Sequence, residues 1–173
     1  MIISVEEAKR LIQFGNWTDE KIKRKIIAIE QTIRQYTNNT FQNRNIRGKC
    51  YSDGIRLFGN VPGIKVGNTV QITQSLFNDG LYVVDAVYED EIAVDKELTE
   101  DATMLVTKVE YPEDVIECCI ELLEWSNKHG SKVGIKSETL SRHSVTYEDS
   151  GTLFNGYPVG ILNGLKLYKK ARC

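Results

Sequence analysis

His143 is flanked by Ser141 and Ser144, with Asp149 six residues on, and these are the residue types of a hydrolytic triad. Their setting argues against that chemistry. No Gly-x-Ser-x-Gly elbow is present, and a segment as rich in Ser, Gly, Asn and Thr as Ser131 to Gly164 offers nothing rigid on which to preorganise a site. His129 closes an apolar helical stretch, where a protonated imidazole is favoured by the helix dipole, and we assign it that capping role. The four cysteines, Cys50, Cys118, Cys119 and Cys173, show no Cys-x-x-Cys spacing and no metal-ligand pattern with the two histidines. We read them as reduced, with Cys118 and Cys119 as core filler. Gly59-Asn60-Val61-Pro62-Gly63 is glycine-rich, yet neither Gly-Lys-Ser/Thr nor a helix follows it, so it does not cradle phosphate. No catalytic residue, cofactor or metal ligand is therefore assigned. What remains is the closing run Leu165-Lys166-Leu167-Tyr168-Lys169-Lys170-Ala171-Arg172, which reads equally as a solvated basic tail or as a segment docking on an acidic protein surface, and less well as a nucleic-acid contact.

Charge supports that preference. With 22 basic and 24 acidic residues, the formal net charge of −2 lacks the basic excess of a dedicated nucleic-acid or membrane-surface binder. Locally the distribution is uneven: Asp79 to Asp101 holds nine acidic side chains against Lys96 alone. The N-terminus has no basic region leading into an apolar run, and no stretch is long enough to span a bilayer. A cytoplasmic origin without membrane association is expected, which leaves the sequons at Asn16 and Asn38 without meaning.

The elements that must position these residues follow from period and punctuation. Ser4-Val5-Glu6-Glu7 fits a capping box, predicting a short helix from Val5 to about Gln13. Thr18, Asp19 and Glu20 open a second helix carrying Ile22, Ile26, Ile29, Ile33 and Tyr36 at spacings of four and three. Burying each isoleucine is worth about 1.5 to 3 kcal/mol, against a few tenths lost to β-branching, so that helix is predicted to need a partner. The partner is Glu110 to Gly130, where Pro112, Glu113 and Asp114 mark the start and Val115, Ile116, Cys119, Ile120, Leu122 and Leu123 spread beyond a narrow stripe.

From Lys49 to Tyr111 the period becomes two. Tyr51, Ile55, Leu57 and Val61 predict a first hairpin, and Val66 to Ile72, Leu81 to Tyr88, Ile92 to Val94 and Met104 to Val109 are predicted strands, with a turn at Asn78-Asp79-Gly80. The chain is therefore expected to be α+β: a small antiparallel bundle of about three helices, from residues 1–46 and 111–130, with a small β-barrel or sandwich inserted at 47–110. Residues 131–173, too polar for a core and too apolar for an inert linker, are expected to form an extended C-terminal arm that docks on another protein.

These stretches resemble a known family. The two-helix opening VEEAKRLIQFGNWTDEKIKRKIIAIEQTIRQYTNNTF, the helix YPEDVIECCIELLEW and the closing runs IKSETLSRHSVTYED and YPVGILNGLKLYKKARC are similar to bacteriophage head-to-tail connector proteins, also called head-completion or adaptor proteins, of tailed phages and prophages of Gram-positive bacteria. The resemblance covers residues 4–42 and 111–173 and lapses over 47–110, which looks more like a β-barrel insert of some phage structural proteins. It implies a non-enzymatic subunit that forms a ring on the portal protein, extends the DNA channel without sequence-specific binding and meets the next connector or a tail-completion protein, in the virion at the head-tail interface. It further implies that the arm contacts the portal or a neighbouring subunit through Ser141, His143, Val145, Tyr147, Lys166, Tyr168, Lys169, Lys170 and Arg172. A nucleic-acid-binding accessory protein using the β insert and the lysine-rich end is the alternative expectation.

Overall fold

The computed structural model describes residues 1–129, 137–140, 143–146 and 153–171. The chain divides into two compact units. One comprises Met1 with Thr40–Tyr111, the other Ile2–Asn39 with Pro112–Cys173.

The first unit is a six-strand antiparallel sheet of β1 (Gln42–Asp53), β2 (Leu57–Phe58), β3 (Thr69–Thr73), β4 (Gly80–Val87), β5 (Glu91–Val94) and β6 (Glu100–Val109). Their order is β1-β2-β5-β4-β3-β6, and β6 is paired in turn with β1, so every strand has two hydrogen-bonded neighbours. Alternation selects the inward face: Val70 and Ile72 on β3, Tyr82 and Val84 on β4, and Met104 and Val106 on β6 are buried with Leu57 and Ile92. Gly59 is demanded by geometry. Its φ is +139°, and a Cβ there would stand 2.6 Å from the Lys49 carbonyl oxygen, so the glycine-rich stretch is a close backbone crossing.

β1 starts at Gln42 and the unit at Thr40, where the insertion was expected to begin at 47. The reason is that Gln42 and Asn43 earn their place through backbone pairing, opposite Val109 and Lys108, and carry no apolar alternation to betray a strand. The ends of the insertion are clasped: the Glu110 N–H donates to the Phe41 carbonyl at 2.9 Å, and the Phe41 and Tyr111 rings lie 5.0 Å apart.

The second unit is helical. α1 (Val5–Leu11) is capped by Ser4, whose Oγ accepts from the Glu7 N–H at 3.1 Å, and α2 (Asp19–Thr37) by Thr18, which accepts from Lys21 at 3.3 Å. Asn38 ends α2 in the left-handed region at φ 48°. All four isoleucines of the stripe are fully buried, and α2 packs on α3 (Glu113–His129) through Val115, Cys119, Leu122 and Leu123. Gly130, expected as the stop of α3, lies outside the described residues. β7 (Ser137–Leu140) pairs with β8 (His143–Thr146).

The expectation of an extended arm over 131–173 does not hold for residues 153–171. β9 (Leu153–Phe154) and β10 (Tyr157–Pro158) form a tight hairpin, followed by α4 (Val159–Leu162) and a 3₁₀ turn at Asn163–Tyr168. These short elements pack on α2 and α3, burying Tyr157, Leu162 and Leu165. Polar contacts seal the join: Lys170 N–H to the Thr37 carbonyl at 2.8 Å, Asn39 Nδ2 to the Tyr168 carbonyl at 3.1 Å and Asn155 Nδ2 to Gln35 Oε1 at 2.7 Å. Elements of two to six residues show no helical or strand period, so Tyr157, Leu162 and Leu165 look isolated in the sequence although they fill core positions.

The closing turn should therefore be required for the stability of the helical unit. Leu165→Ala is expected to destabilise it by about 2 to 5 kcal/mol. Denaturant titration followed by the fluorescence of Trp17 and Trp125, both in that unit, checks this, and an unchanged midpoint would refute it.

Candidate interaction surface

Of the residues expected to bind a partner, Lys166, Tyr168, Lys169 and Lys170 are brought together on and just after the 3₁₀ turn. Lys166, Lys169 and Lys170 are exposed, and Leu167 between them is 89% exposed. Tyr168 is half-buried. Its hydroxyl donates to Asp114 Oδ2 at 2.9 Å, and this bond raises the phenol's pKa, so the ring is tied to the start of α3. The Lys169 ammonium sits 3.9 Å from the centroid of the Tyr36 ring. His143 and Val145 fall on β8, while Ser141, Tyr147 and Arg172 lie outside the described residues.

A second surface was not anticipated from the sequence. In the β unit, Ile55, Leu76 and Phe77 are 75%, 79% and 70% exposed, on two loops that carboxylates hold rigid. Asp53 Oδ1 accepts from the N–H groups of Ile55 at 2.8 Å and Arg56 at 2.9 Å, while Ser52 Oγ accepts from Gly54 N–H at 3.0 Å. Asp101 Oδ2 accepts from Leu76 N–H at 2.7 Å, and Asp79 Oδ1 from Ser75 N–H at 3.0 Å. Ser75 Oγ takes the N–H groups of Phe77 and Asn78, and the Asn78 amide exchanges two hydrogen bonds with the backbone of Thr99. Both loops are thus fastened to the start of β6, since Asp53 pairs with Glu100 and Asp101 holds Leu76.

These bonds stabilise the ionised carboxylates. Backbone N–H groups of Arg56 and Ile55 draw the Asp53 carboxyl below its usual range, and the N–H of Leu76 does the same at Asp101. With their backbones held, Ile55, Leu76 and Phe77 face solvent with less backbone entropy to lose on binding. Turn chemistry at Asp53-Gly54 and Asn78-Asp79-Gly80 could have located the loops; that their apolar residues point outward is set by the side-chain caps beneath them.

Burial pushes the thiol of Cys50 up to about 11 and that of Cys118 to about 12, and it raises Cys119 further, so all three are protonated and unreactive at neutral pH. Among the described residues no cluster of His, Cys, Asp and Glu could hold a metal ion, and no helix is long and apolar enough to cross a membrane. A depression at the start of α2 is lined by Thr18, Glu20, Lys21, Arg24 and Lys25, of which all but Lys25 are exposed, and Glu20 is paired with Arg24. Compared with known proteins, the chain matches no family model and no curated sequence.

Because the Asp101 carboxyl is depressed in the folded state, its contribution to stability is present above the ordinary aspartate value of about 3.9 and is lost as pH falls through the lower folded-state value. Asp101→Asn should therefore lower thermal stability at neutral pH and show a weaker loss on acidification than the wild type. The same variant should become sensitive to chymotrypsin after Leu76 and Phe77. Parallel pH profiles, together with resistance to cleavage, would show that the carboxylate does not hold the loop.

Proposed function

We propose that this chain is a structural, non-enzymatic subunit of a bacteriophage or prophage head-to-tail connector. Copies assemble as a ring on the portal, extend the DNA channel and prepare the head for the next connector or tail-completion protein. What carries this reading is where the chain divides. The stretches that resemble connectors, 4–42 and 111–173, fall almost wholly in one compact unit, Ile2–Asn39 with Pro112–Cys173, although some 70 residues intervene. The intervening stretch, where the resemblance lapses, is a unit by itself. We take its strands, whose pairing order returns to β1, as a small inserted barrel.

On this reading the partner-binding segment is the part of the expected arm that precedes β9, carrying Ser141, His143, Val145 and Tyr147, while Lys166, Lys169, Lys170 and Arg172 offer positive charge to an acidic surface. The place of action is the virion, after synthesis in the bacterial host. The exposed lysines also favour a second reading, a nucleic-acid-binding accessory protein. Against it, the hydroxyl of Tyr168 is bound to Asp114 and its ring is half-buried, so the one aromatic among these lysines is poorly presented for stacking on bases.

Electron microscopy of the purified protein mixed with portal rings tests the first reading. An added ring of density is expected, and deletion of residues 137–146 should abolish it while leaving the fluorescence of Trp17 and Trp125 native. Portal rings that stay bare with the full-length chain would overturn the proposal. Affinity for DNA that falls steeply with salt would favour the second reading, because phosphate contacts release counterions.

A further inference from the structure

The two surfaces described above are opposite in charge and alike in exposing apolar side chains. Around the loops of the β unit stand the exposed acids Asp79, Glu97 and Glu100. The one lysine in that stretch, Lys96, is engaged, its ammonium bonded to the Leu81 carbonyl and 5.2 Å from the Tyr82 ring centroid. Arg56, beside Ile55, is paired with Glu91. The loop end is therefore apolar at its tip and negative at its rim. Such a surface is repelled by nucleic acid and by anionic membranes, and it suits a cationic protein face. This chain carries one: Leu167 projects from the 3₁₀ turn between Lys166 and Lys169, with Lys170 following.

We infer that the Leu76–Phe77 loop of one copy seats on the Asn163–Tyr168 turn of a second copy. The contact joins unlike patches and is heterologous, so each copy keeps one free surface of either kind, and successive copies add head to tail until the rotation closes. Apolar contact between Leu76, Phe77 and Leu167 supplies the centre, and lysine against carboxylate supplies the rim and the orientation. Both partners are preorganised, the loop by Asp101 and the turn by the Asn39 side-chain amide, which donates to the Tyr168 carbonyl. The inference deepens the ring reading and rests on it for closure, while the contact itself can be measured without a portal.

The test uses the full chain with the photo-crosslinker p-benzoylphenylalanine in place of Phe77, mixed with isotopically labelled wild-type chain. Irradiation should give intermolecular crosslinks mapping by mass spectrometry to residues 159–171 of the labelled copy. Lys166→Glu combined with Lys170→Glu in the labelled copy should cut the yield at least about tenfold, and Glu97→Lys with Glu100→Lys in the crosslinking copy should restore it. These four side chains are exposed, so folding is not at stake. Crosslinks absent at millimolar chain, mapping elsewhere, or insensitive to the charge reversals would overturn the inference. Rings on the portal without this crosslink would sink the contact and leave the connector reading standing, whereas the crosslink without rings would do the reverse.

Discussion

The pairing of β1 with β6 is the constraint on which the β unit depends. Gln42 stands opposite Val109 and Asp53 opposite Glu100, so the first and last strands of the insertion run side by side for nearly their whole length. This pairing covers one edge of β1 and one of β6 for most of their length, edges along which exposed strands could otherwise aggregate. At its foot, the Phe41–Tyr111 ring contact and the Glu110–Phe41 hydrogen bond bring the two chain crossings together. A segment inserted between two helices is tolerated most easily when its own ends meet, because the host then sees only a short connection.

Much of the helical unit was legible in the sequence. The Ile22–Ile26–Ile29–Ile33 spacing, the caps at Ser4 and Thr18 and the acidic start of α3 act locally, through period and through backbone N–H groups that must find acceptors. The partner of α2 could also be deduced, since α3 was the other long amphipathic stretch. What escaped were features decided by distant parts of the chain. Gln42 and Asn43 form a strand because β6 lies beside them, and Leu162 and Leu165 are core because α2 and α3 present a gap that short turns can fill. Neither fact leaves a periodic trace. Three isolated apolar residues in a polar segment read as a docking arm whether they dock on another protein or on their own.

The interaction surfaces illustrate the same division. The basic residues Lys166 to Lys170 were visible as a run of like charge, but the tie between Tyr168 and Asp114 was not. The loops carrying Ile55, Leu76 and Phe77 were hidden for a plainer reason: an apolar residue in a β-rich stretch is ordinarily assigned to the core. Here the side-chain carboxylates of Asp53 and Asp101 take the backbone N–H groups that would otherwise bind water or a strand, and the apolar side chains are held outward. Rigidity at these tips is thus made from polar atoms while the exposed face is apolar, a combination that serves recognition more than stability.

The position of Leu162 and Leu165 has a bearing on how the molecule is made. During synthesis the N-terminal helices leave the ribosome first, and α2 emerges with four isoleucines on one face. Their cover comes from α3 and from the closing turn, more than 75 residues further along. The β unit, which apart from Met1 is one continuous stretch, can complete its fold before either arrives, whereas the helical unit waits for its closing turn. Until then the isoleucine face is uncovered apolar surface on the nascent chain, the kind that promotes aggregation.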